Sequence, residues 1–336
     1  MKSPIIILAL MLLLQACTQE ELLLPGMPDA DFSITRSMEE NRVSPVDQIF
    51  RKSDETAATA DRKPHNQYFN FQNKDGAILE TREGLILNIP AYAFVDAQSL
   101  VPVDEEVQLE VKEIYRKTDM ISQNKPTNFQ HTFLISGGEF FLGASYEGHE
   151  LTLGRGIAID VELPVKVDNG NYQQKMELFI GNYETGSDGA ATDRFTWERA
   201  GSDRVKLRNT FPAAYIFSIS HLGWPHCDAF LDDPRRKVSI TVELAGNVPP
   251  QDCMVFIVPK NLNGVMRIYR DMKGEFKTMP SIPEGLEATI VSVAHSGGTS
   301  YVSTQEITVK ENDSYRVSMK AASSQEIKDQ HMMLNQ

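Results

Sequence analysis

Three cysteines in 336 residues, Cys17, Cys227 and Cys253, are too few for a disulfide-built scaffold. Positive charge is also scarce: 33 basic residues face 46 acidic ones, a net charge of -13, with no arginine cluster or basic stripe. Neutralising phosphates needs the opposite balance, so nucleic acid is excluded as a partner. Long hydrophobic runs are missing too. The run Ile5 to Leu14 is too short to cross a hydrocarbon core of about 30 Å as a helix, and no later segment approaches that length.

Motifs that carry chemistry are equally thin. There is no Cys-x-x-Cys and no Gly-x-Ser-x-Gly. His149-Glu150 opens a His-Glu-x-x-His, but Leu153 stands where the second histidine belongs. Gly154-Arg155-Gly156 lacks the third glycine of a dinucleotide loop, and the acidic stretch Glu184 to Asp193 lacks the ligand spacing of a calcium loop. With 46 acids, nothing singles out two as a glycosidase pair. The densest set is His221, His226, Cys227 and Asp228, all competent zinc or copper ligands. Its spacing is not that of a zinc finger, and neighbours in an extended chain point apart. Packing and hydrogen bonding at a strand junction are the expectation there, with no metal, no cofactor and no catalytic residue assigned.

What the chain does have begins at its first residues. Lys2, the apolar run and Leu14-Gln15-Ala16 form a secretory leader over 1–16. A small residue directly before Cys17, with leucine two residues earlier, resembles a bacterial lipobox. That resemblance implies an acylated thiol at Cys17, a mature N-terminus there, and the membrane as a partner through the lipid. Thr18-Gln19-Glu20-Glu21 resembles the signal that sends lipoproteins of Bacteroidota to the outer face of the outer membrane. The address expected is the cell envelope, anchored in the outer membrane, in its periplasmic leaflet or at the cell surface. Residues 17–66 hold Pro25, Pro28, Pro45 and the polar stretch Ser53 to Lys63, too little apolar surface to offset ordering, and read as a flexible tether.

From Gln67 the texture changes to period two. Leu85, Leu87 and Ile89, then Val107, Leu109 and Val111, then Ile157, Ile159, Val161 and Leu163 alternate with polar or small residues. This is the signature of antiparallel sheets covered on one side. Gly137-Gly138 and Gly148 read as punctuation between further short strands. The length calls for two modules. The fold expected is all-β: a first β-sandwich over 67–214 with bridging strands, a second, immunoglobulin-like β-sandwich over 215–320, and a polar tail over 321–336 with one short helix from Ser324.

The stretch Gly84-Leu85-Ile86-Leu87-Asn88-Ile89-Pro90-Ala91-Tyr92-Ala93-Phe94, followed by the strand Val107 to Ile114, resembles the opening of ZU5-like β-sandwich modules. Ala91-Tyr92 replaces the Pro-Gly of that element, so the likeness is one of architecture, over about Gly84 to Pro164. It implies an interaction or structural unit. Gly223-Trp224-Pro225-His226-Cys227-Asp228, taken with the lipobox, resembles a recurring pattern in Bacteroidota lipoproteins of no assigned activity.

With Cys17 lipidated, Cys227 and Cys253 are the one pair left for a disulfide in an oxidising compartment. A bridge would tie the Gly223 to Phe230 stretch to the strand Met254 to Val258; two separately buried thiols are the rival. Three functions compete. The favoured one is a lipid-anchored envelope protein with a non-catalytic role, binding a protein or glycan or spacing other components. The others are a secreted hydrolase with its site on sandwich loops, and a metal-handling protein using His221, His226, Cys227 and Asp228. The sequence sets no oligomeric state.

Overall fold

The computed structural model describes residues 44–46, 48–50, 66–185, 191–246, 248–271, 273–311 and 313–335. Cys17, the leader 1–16 and most of the tether 17–66 lie outside the described residues. Among the described residues strand exceeds helix 53% to 12%, so the chain is all-β, of sandwich type. Among the described residues no helix is long and apolar enough to cross a membrane.

The first sandwich follows the alternation. One sheet runs, in spatial order, through Gln67–Gln72, Glu106–Ile114, Thr132–Tyr146, Trp224–Phe230, Glu177–Thr185 and Ala191–Arg204. The facing sheet runs through Lys206–Arg208, Ala214–Ile219, Ile159–Pro164, Ile86–Ile89 and Ala77–Glu80. Between them lies a first core that includes Leu87, Leu109, Leu142, Val161, Phe217 and Cys227. The side chains predicted to point inward do so, because every second residue of a strand faces the same way.

Two expectations are corrected here. The boundary at 214/215 is misplaced: Ala214–Ile219 pairs with Ile159–Pro164, and Trp224–Phe230 lies between Thr132–Tyr146 and Glu177–Thr185. Both strands therefore belong to the first sandwich. The sheet they complete is also covered on both sides. Its second face contributes Ile114, Phe141, Phe179, Phe195, Trp197 and Trp224 to another core, shared with Met254, Phe256, Val291 and Val293 of the following module.

That module has a sheet ordered Met266–Ile268, Cys253–Pro259, Glu287–Ser296, Thr299–Thr308 and Lys320–Ala321. Its strand Cys253–Pro259 is buried throughout, and alternation now divides residues between cores. Met254, Phe256 and Val258 face the shared core, while Val255 and Ile257 face a third. Smaller pairings close the third core, among them Thr241–Ala245 beside Ser314–Ser318, a parallel pair where antiparallel pairing is expected.

The ends of the chain also depart from expectation. Val46, Ile49 and Phe50, read as tether, are buried in the shared core. Nor is the tail merely polar. The helix Ser324–Met332 begins with reciprocal bonds between Ser323 and Glu326, a capping box, and sends Ile327 into the same core. At the outer edge of the first sheet, the Tyr269 hydroxyl accepts from the Phe195 N–H at 3.3 Å and donates to the Phe195 carbonyl at 3.2 Å.

The expected disulfide is absent: Cys227 and Cys253 are free and buried. Their positions explain it. Cys227 points into the first core, whereas Cys253 lies in the third, its thiol donating to the Pro249 carbonyl at 3.3 Å. Burial raises both thiols, Cys253 to about 12.

Because the shared core joins the modules, unfolding in urea is expected as one transition, with tryptophan fluorescence from Trp197 and Trp224 coinciding with far-ultraviolet circular dichroism. Two resolved transitions would show independent sandwiches. Phe256→Ala, at a fully buried position, is expected to lower the stability of the whole unit by about 3–5 kcal/mol. In a thiol assay without reductant, Cys227 and Cys253 should stay unreactive in the native protein and both react in denaturant. A pair that stays silent after unfolding would restore the disulfide.

Candidate functional site

The polar cluster of the first sandwich depends on a backbone irregularity. Thr132–Tyr146 is one continuous strand through Gly137-Gly138, not two strands separated by a turn. Its register against Trp224–Phe230 pairs His226 with Glu139 and Cys227 with Gly138, but Asp228 with Ser136. Gly137 is thus an extra residue, a bulge that reverses which face the following positions occupy. Without it Ser136 and Glu139, an odd number apart, would face opposite sides. With it, Ser136, Glu139, His226 and Asp228 share one face. Glycine is required at the bulge, since a Cβ on Gly137 would lie 2.9 Å from the Tyr215 ring and one on Gly138, at φ +139°, 2.7 Å from the Tyr115 ring.

All four side chains have zero exposure. The Ser136 Oγ lies 2.9 Å from His226 Nε2 and accepts from the Gly138 N–H at 3.1 Å. Asp228 Oδ1 is 2.5 Å from the same Nε2, although neither Asp228 oxygen makes a well-directed hydrogen bond. Glu139 Oε2 is 4.0 Å from Nδ1, beyond hydrogen-bond reach, and both Glu139 oxygens lack partners. The Trp197 ring covers the imidazole at 4.2 Å between centroids.

Burial decides the protonation states. It pushes the Asp228 carboxyl well above the usual carboxylate range, with the neighbouring Glu139 charge adding to the effect. The same desolvation raises Glu139, opposed by Lys125, and holds His226 well below the ordinary imidazole value. Desolvation thus favours the uncharged form of each of these three groups.

A serine, a histidine and two carboxyls suggest nucleophilic catalysis, but the geometry is not that of a triad. Asp228 meets the same Nε2 as Ser136, and Glu139, on the opposite nitrogen where a triad places its acid, stands 4.0 Å from Nδ1 with no hydrogen bond to it. Nor do the two carboxyls converge on one ion, since they lie against different ring nitrogens. Among the described residues no group of three or more histidine, cysteine, aspartate or glutamate side chains has metal-holding geometry. None of the four side chains is exposed to solvent.

The structure therefore divides the set singled out in the sequence. His226 and Asp228 come together. Cys227 turns to the opposite face and the first core, and His221 stays on the surface with its Nδ1 2.9 Å from the Ser220 hydroxyl. Ser136 and Glu139 were missed, because only the Gly137 bulge brings them to this face.

A buried lysine lies in the same layer. Lys125, 2% exposed, donates from Nζ to the Tyr183 hydroxyl at 2.8 Å. Its ammonium stands 4.3 Å from the Phe195 ring centroid, 4.6 Å from that of Trp224 and 4.8 Å from that of Tyr183. Facing rings replace part of the lost hydration by attraction to their quadrupoles. On the surface, a shallow groove of about 300 Å³ is lined by Asn70, Gln108, Ser145, Tyr146 and Glu147. Asn70 and Gln108 pair across strands, with the Gln108 amide donating to the Asn70 side-chain oxygen at 3.3 Å.

Glu139→Gln tests the electrostatics. A carboxyl whose folded value is raised binds its proton more tightly than in the unfolded chain. Its contribution is complete below the unfolded value of about 4.3 and is lost as pH rises through the folded value. The variant, which cannot ionise, is expected to be more stable than the parent at alkaline pH by about 1–3 kcal/mol, with the gap closing toward pH 4. Denaturant titrations across that range would show it, and a constant gap would refute the assignment. No protein-family model and no curated protein matches the chain, so its reading rests on this geometry.

Proposed function

We propose that the protein is a lipid-anchored component of the cell envelope with a non-catalytic binding or structural role. The observation that carries this reading is the sealing of its richest set of reactive side chains, Ser136, Glu139, His226 and Asp228, at zero exposure between two cores. Such a set serves packing and polarity inside the sheet. Metal handling at His221, His226, Cys227 and Asp228 loses its basis once those four residues are found on three different surfaces. The anchor rests on Cys17 following a leader and a small residue, with the outer membrane, in its periplasmic leaflet or at the cell surface, as the address.

The partner class is an envelope protein or a glycan, held by loops and sheet faces of the sandwiches. The groove at Asn70 and Gln108 supports it, because paired amides, a hydroxyl and a tyrosine present donors and acceptors at fixed spacing, as polyhydroxylated ligands require.

Cys17→Ser, compared with the parent in cells fed a palmitate analogue, is expected to abolish labelling of this protein and move it from the membrane to the soluble fraction. Unchanged label would end the anchor. The same cells supply acylated parent protein for capture from envelope extracts, and Asn70→Ala with Gln108→Ala is expected to reduce capture if the groove is the contact.

A further inference from the structure

The face of the first sheet that carries the buried cluster is covered only in part. At Ile114 and Phe141 it enters the shared core, but further along the same two strands Gln108 is exposed and Ser145 half-buried. There Asn70, Gln108 and Ser145 stand abreast on three adjacent strands, each paired with the next. Neighbouring strands lie about 4.8 Å apart, close to the rise of one sugar residue in an extended, β-1,4-linked chain. The Gln108 amide donates to the Asn70 side-chain oxygen. That leaves the Asn70 amide nitrogen and the Gln108 side-chain oxygen without another hydrogen bond among the described residues. A donor beside an acceptor matches two vicinal hydroxyls, each of which both gives and takes a hydrogen bond.

Tyr68, two residues along the same strand from Asn70, is 55% exposed, and an aromatic side chain at that diagonal position reaches Gln108. Its ring offers a flat apolar surface to the C–H side of a sugar. We infer that this row binds an extended, uncharged, β-1,4-linked glycan laid across the strands, one sugar residue per strand, with Tyr68 as its stacking platform. The inference rests on the binding role proposed above and narrows its partner class.

Charge selects within that class. Glu106 and Glu147 line the groove, and among its described lining residues there is no lysine or arginine. Lys112, on the same face of the strand that carries Gln108, stands 3.4 Å from Glu110. An anionic glycan would meet two carboxylates with no cation in the groove to offset them. A protein partner fits less well, because its anchoring side chains need a well-packed pocket. The one aliphatic residue of the lining, Val107, is buried in the first core.

Calorimetric titration of the full chain tests the inference with three β-1,4-linked hexasaccharides, those of cellulose, mannan and chitin. At least one is expected to bind saturably, and at least tenfold more tightly than maltohexaose, whose α-linkages coil the chain, or the anionic hexagalacturonate. Tyr68→Ala is expected to weaken that binding about tenfold and Tyr68→Phe to preserve it. No binding by any of the three, equal binding of either control, or an affinity untouched by Tyr68→Ala overturns the inference. In the parent, the side-chain amide signals of Asn70 and Gln108 should move as the hexasaccharide saturates, while that of the buried Asn263 should not. Asn70 and Gln108 signals that stay in place overturn it without any variant. The hexasaccharide should be recovered whole. Its cleavage would refute the non-catalytic role and leave the glycan site standing, whereas absent binding would remove the glycan and leave the anchor to the Cys17 label.

Discussion

A β-sheet covered on both faces has no solvent side to which a polar residue can be turned, and the rest of this structure answers to that constraint. The sheet containing Thr132–Tyr146 and Trp224–Phe230 sits between the first core and the shared core. Every polar side chain it carries in its middle must find a partner or stay neutral. Ser136, Glu139, His226 and Asp228 group around one imidazole, and Lys125, from the loop before Asn128–Phe129, lies against three aromatic rings. The same covering welds the two modules: the shared core takes side chains from both, so neither hides its apolar face without the other.

Much of the first sandwich was legible because its strands obey a simple rule. Leu87, Leu109 and Val161 alternate with polar neighbours and became inward-facing residues of three strands. Trp224–Phe230 was not legible as a member of that sandwich, since it is buried on both faces and shows no alternation to assign. Its neighbours, Thr132–Tyr146 and Glu177–Thr185, are distant in sequence, so only long-range pairing places it. The candidate site failed for a related reason. His226 and Asp228 are two apart and visibly share a face, but Ser136 and Glu139 share theirs only through a bulge at Gly137, which the sequence presents as a turn.

The two cysteines carry the same lesson in reverse. Their proximity in sequence suggested a bridge, and the compartment expected for a lipoprotein permitted one. Side-chain direction decided otherwise. Cys227 and Cys253 face cores separated by whole sheets, and each packs as a small apolar residue. The polar terminal stretches misled for want of periodicity: three residues near position 50 and two on the last helix suffice to dock both, too few for any periodic signal.

The Tyr269 hydroxyl at Phe195 has a bearing on how copies of this protein coexist at high density. Ala191–Arg204 forms the rim of its sheet, and an open rim is a template on which a second chain can lay a strand. By occupying both backbone groups of Phe195, one phenol stands in for a neighbouring strand and withdraws a rung of the ladder from such pairing. Wherever copies are crowded, chains with that rung withheld are kept from pairing edge to edge at this position.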